Sequence, residues 1–148
     1  MTKYKNEIIL VLIPFVYGLL ANLTDSTLLT PVLTQIIFLL FWYLVGVKFA
    51  KLNKDKITSF LYGNSIWGLS FLVFIWQFIL LDDNSRNFFL AGVSQYYMFP
   101  FIWIGRELTV MFIDVYHGTT IMLLAYLSML VIFLLGFSYG WMKEKLYS

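Results

Sequence analysis

The sequence predicts an all-α integral membrane protein: a bundle of four transmembrane helices, with both termini cytoplasmic and an interfacial or re-entrant segment between the third and fourth. Three observations carry that expectation. The 148 residues are 61% hydrophobic and 12% charged, whereas soluble domains approach about 25% charged positions. Apolar runs recur at close to the ~20 residues that a crossing needs. Lysines gather at three places that a four-crossing path brings to one side of the bilayer.

At this length the chain forms a single membrane domain, 1–148, with little left for an extramembrane unit. Cysteine is absent, which closes disulfide, thioether and thiolate chemistry. A formal net charge of +2 is too small to imply nucleic acid. The expected partner is the lipid bilayer itself, together with a membrane protein or further copies of the chain. No cofactor and no metal is expected.

The first span covers about residues 7–22 and contains Pro14 and Gly18. Proline is tolerated there because neighbouring helices and water re-satisfy the freed carbonyl. No small-x-small pattern follows this run, so it reads as a retained span and not a cleaved leader. The second span, 31–50, opens on Pro31, whose missing N–H costs nothing in a first helical turn. Gln35 is expected to bond a neighbouring helix.

Lys48, Lys51, Lys54 and Lys56 crowd the next loop, and short lysine-rich loops stay in the cytoplasm. The third span, 57–81, has a polar N-terminal half. Ser59 and Gly63, like Asn64 and Gly68, are four apart and share a helix face. Small residues at that spacing let another helix approach closely. The fourth span, 119–142, carries Gly136 and Gly140 as a GxxxG pair. These six residues are the helix-packing candidates.

Counting positive charges fixes the expected orientation. N-in and C-in termini put Lys3, Lys5, the loop lysines, Lys143 and Lys145 inside and leave Arg86 and Arg106 outside. The alternative, five spans with a crossing at 88–104, would strand the C-terminal lysines outside. The compact lysine-rich loops suggest a bacterial cytoplasmic membrane.

The segment 86–118 is therefore expected on the outer side, broken at Pro100. Residues 105–118 read as one helix bearing a polar stripe of Arg106, Glu107, Asp114 and His117. Glu107 and Asp114 fall about 20° apart on a helical wheel, with Leu108, Met111, Phe112 and Val115 opposite. Asp114 and His117 are close enough for a carboxylate to orient an imidazole. One histidine with carboxylates is insufficient for a zinc site.

Two functions follow. The first is a non-enzymatic accessory, immunity or assembly subunit acting through helix packing with a membrane partner. The alternative is a membrane-embedded enzyme or small-solute transporter with an outward-facing polar site on 105–118. The solvated-face reading of the stripe outweighs the catalytic one, so no catalytic residue is assigned.

Overall fold

A computed structural model describes residues 5–24, 30–52, 55–113 and 117–147, and these are all-helical, without a strand. The helices are α1 (Lys5–Leu23), α2 (Pro31–Ala50), α3 (Lys56–Gly63), α4 (Ser65–Ile75), α5 (Phe88–Met98), α6 (Ile102–Phe112) and α7 (Gly118–Tyr147). Three helical stretches are long and apolar enough to cross a membrane: Pro31–Ala50, Phe88–Phe112 and Gly118–Leu146. The helix of the first expected span, Glu7–Leu23, is shorter.

The third expected span is a broken rod, and this corrects the continuous helix 57–81. α3 and α4 meet at 54°. Asn64 sits at the joint with φ −104° and ψ 8°, its side-chain Nδ2 donating to the Phe60 carbonyl at 3.1 Å. Asparagine competes in this way with the helix ladder. α3 starts cleanly because Asp55 accepts the Ile57 N–H at 3.2 Å and the Thr58 hydroxyl. α4 runs into a wide π-helical turn, Trp76–Leu80.

Register between helices follows from their contacts. α2 and α7 run parallel, since Gly136 lies against the Tyr43 carbonyl and Gly140 against that of Val47. α1 is antiparallel to α2: Tyr17 meets Thr34 at 2.8 Å, and Glu7 pairs with Lys48 at 2.7 Å. The α3/α4 rod is antiparallel to α7, with Phe60 on Phe137 and Trp67 Nε1 donating to the Tyr126 carbonyl at 3.1 Å. α5 is antiparallel to α4, as Ser70 reaches the Ser94 carbonyl and Gln77 reaches Asn87.

Residues 88–112 form one helical stretch in which α5 and α6 are joined by a turn of 3₁₀-helix at Phe99–Pro100–Phe101. Pro100 lacks the N–H that would continue the ladder. Ser94 meets Tyr126, Gly105 lies on the backbone of Ile121 and Ala125, and Tyr96 lies against Gly18 of α1. Between them the Tyr97 ring is 6.3 Å from that of Trp42.

The expected helix 105–118 is also corrected. α6 ends at Phe112, with Ile113 extended at φ −138° and ψ 121°. β-Branched Ile113 and Val115 flank an aspartate, a poor continuation for a helix. α7 begins at Gly118.

The core is aromatic: Trp42, Phe49, Phe74, Tyr97, Phe101, Tyr126 and Phe133 are all fully buried. Phe133 is the hub. It packs edge-on against Phe60 at 5.8 Å and lies 5.9 Å from Trp42. Such pairs contribute about 0.5–1.5 kcal/mol beyond area burial, which matters where lipid offers no hydrophobic drive between helices.

Candidate functional site

Arg106, Glu107 and His117 do not lie on one continuous helix. Arg106 and Glu107 are exposed on α6, whereas His117 is exposed beyond the break, just before α7. Asp114 lies outside the described residues. Met111 and Phe112, opposite the expected stripe on the wheel, are 76% and 77% exposed. The buried face of α6 is instead Gly105 and Thr109. Among the described residues no three His, Asp or Glu side chains are grouped to hold a metal.

The helix-packing candidates divide. Ser59 is fully buried, and a β-carbon at Gly63 would strike the rings of Phe133 and Phe49. Gly136 and Gly140 are taken up inside the chain, where they seat α7 on α2. Asn64 is buried at the α3/α4 joint. Gly68 differs from these, with nothing within 4 Å of a β-carbon built there.

Close approaches also occur at three glycines that periodicity does not single out. Gly18 abuts the backbone of Tyr96, Gly46 that of Phe133, and Gly105 that of Ile121 and Ala125. Gly46 answers Gly136 across the α2/α7 seam. Two glycines on facing helices are a reciprocal pattern that can be sought in sequence only once the helices are known to be neighbours.

Inside the bundle, neutral polar groups do the joining. The Ser70 hydroxyl and the Tyr126 hydroxyl are 2.6 Å apart, and Tyr126 donates onward to the Ser94 carbonyl at 2.6 Å. This chain ties α4, α7 and α5 together in one layer. Two buried glutamines then tie the start of α5 and the start of α6 to neighbouring helices. Gln77 Oε1 accepts the Asn87 N–H at 2.7 Å, and Gln35 Oε1 accepts the Ile104 N–H at 3.1 Å. Ile104 lies in the first turn of α6, where N–H groups lack intrahelical partners and Phe101 supplies no side-chain cap.

Just before α5, Arg86 donates to the Gln77 carbonyl at 2.8 Å, pairs with Asp83 at 2.7 Å and lies 4.6 Å over the Phe78 ring. At the other end of the bundle Lys56 pairs with Glu144 and donates to the Ala50 carbonyl at 2.7 Å. Charges cap the ends, and hydroxyls and amides fill the middle. Chemically the interior can hold helices in register, because none of its buried polar residues is an acid or a base among the described residues.

These features define a helical protein with several segments fit to cross a membrane. Comparison with family models, with curated proteins and with solved structures finds no match for the chain.

Proposed function

We propose that the protein is a non-enzymatic, multi-pass component of a bacterial cytoplasmic membrane, an accessory, immunity or assembly subunit that works by packing against a partner helix. The carrying observation is the division of its small residues. Gly63, Gly136 and Gly140 are consumed by the chain's own helices, while Gly68 opens outward beside exposed Leu61, Leu69 and Leu72. Small residues at open positions on a membrane helix are where a second backbone can come close. The all-neutral buried polar set also favours packing over proton or ion transfer.

The path consists of four crossings with the lysine end cytoplasmic. Its support is parity. α2 and α7 run parallel, so an odd number of crossings separates them. Four crossings satisfy this when the α3/α4 rod is the one between them and 88–112 stays with the outer side, where protein that surrounds it makes such a backbone tolerable.

The test replaces Gly68 with isoleucine and reads complex size on native electrophoresis from membranes. The expected result is a shift to a smaller species with the monomer still folded and present at normal level. An unchanged complex would remove this reading. Replacing Glu107 and His117 with alanine is expected to leave the complex and the phenotype intact, and a lost phenotype would favour a site on the outer segment instead.

A further inference from the structure

Where α1 ends and α7 begins, a cavity of about 280 Å³ opens between three elements. Asn22 of α1, the Gln95–Phe99–Ile102 side of 88–112, and Gly118 and Met122 of α7 form its walls. Gln95, Phe99 and Ile102 are successively four and three apart and so share one face of that stretch. Two backbone contacts brace the walls, Gly18 on Tyr96 and Gly105 on Ile121, so the helices cannot close the gap by sliding together. Among the described residues nothing lies within 4 Å of a β-carbon built at Gly118, which leaves that wall open.

The polar groups of these walls are amides and a phenol. Tyr96 donates its hydroxyl to Asn22 Oδ1 at 3.1 Å, which leaves the Asn22 NH₂ to donate. The Gln95 carboxamide is half-buried and has no hydrogen-bond partner among the described residues, so it offers both an acceptor and a donor. No charged residue belongs to the lining among the described residues. Depth adds a second constraint. Gly118 and Lys143 are ~38 Å apart along α7, more than the ~30 Å of a hydrocarbon core. With Lys143 in one headgroup layer, the cavity lies at the opposite boundary between hydrocarbon and headgroups.

We infer that this cavity binds the head of one neutral acylglycerol, a lipid with free hydroxyls and an ester carbonyl but no charge. A glycerol hydroxyl donates to Gln95 Oε1, the ester carbonyl accepts from the NH₂ groups of Gln95 and Asn22, and Phe99, Ile102 and Met122 take the start of the acyl chain. The walls select that chemistry from both sides. A phosphate would be buried without a cation in the lining, and a plain hydrocarbon would leave the Gln95 amide unpaired. The volume is at the small end of ligand pockets and suits a compact head on a single chain. The site is independent of the partner at Gly68, which belongs to α4.

The experiment uses the full chain purified in detergent, with monoolein, methyl oleate and oleoyl lysophosphatidylcholine, all of one acyl chain, offered in native mass spectrometry. Monoolein is expected to be retained with about tenfold preference over the other two, equivalent to ~1.4 kcal/mol. Gln95→Leu keeps the bulk, removes the amide and is expected to level monoolein with methyl oleate. Gly118→Phe and Met122→Trp fill the cavity and are each expected to abolish the preference, while Gly68→Ile leaves it unchanged. A thermal melt confirms that each variant is folded; Gln95 has no partner to lose and Gly118 has space beside it, so these two guard against a failure of Met122→Trp. Equal retention of monoolein and methyl oleate would reduce the cavity to an apolar gap and overturn the proposal. So would a preference untouched by Gln95→Leu and both fillers, or stronger retention of lysophosphatidylcholine, which would put a phosphate-bearing lipid there instead.

Discussion

Gln35 on α2 caps α6 from another helix: its Oε1 accepts the Ile104 N–H at 3.1 Å. A group that belongs to the first turn of one helix is satisfied by the side chain of its neighbour. Gln35→Leu leaves that N–H buried without a partner and is expected to cost about 1–2 kcal/mol, between the membrane average and the full penalty of an orphaned donor. Unfolding in mixed detergent measures the loss. Faster hydrogen exchange confined to the start of α6 would locate it there, whereas uniform acceleration would argue against a local role.

The proposed four-span path makes a geometric prediction. Single cysteines at Asn84 and His117, both exposed, should react with a membrane-impermeant maleimide from one side of intact cells. Labelling from opposite sides would mean that 88–112 crosses, and the four-span path would be lost.

The hydroxyl chain should behave as a unit. Tyr126→Phe removes the link between Ser70 and the Ser94 carbonyl and is expected to cost about 0.5–1.5 kcal/mol. Ser70→Ala should then add little on top of it, a coupling that a double-mutant cycle reads directly. Strict additivity would show that the two hydroxyls act separately.

At the lysine end, the hydrogen bond from the Thr58 side chain is the main influence holding the Asp55 carboxyl below its ordinary 3.8. A carboxylate with a lowered folded pKa adds stability above its unfolded value and loses it as pH falls through the folded one. Asp55→Ala should therefore lower the melting temperature at neutral pH, and the gap from the parent should close as pH drops below about 4. A gap that persists undiminished at pH 2 would assign the cap a role independent of charge.

The helices that face lipid were legible from hydropathy, and α2 begins and ends where Pro31 and Ala50 predict. The break expected at Pro100 is a single 3₁₀ turn between α5 and α6. The bend at Asn64 did not stand out, because an asparagine beside small residues reads equally as a packing position. The polar stripe was misplaced for a different reason. A wheel assumes that the helix continues, and α6 stops at Phe112. The reciprocal glycines and the Gln35–Ile104 bond are invisible to any single-segment pattern, since each needs a partner more than twenty residues away.

The seam between α2 and α7 bears on how the chain is assembled. Gly46 and Gly136 let each backbone press onto the other helix, yet every other helix after α2 lies between them in the sequence. The tightest contact of the bundle therefore closes only after the intervening helices have been made, and α2 must keep that face open until α7 arrives.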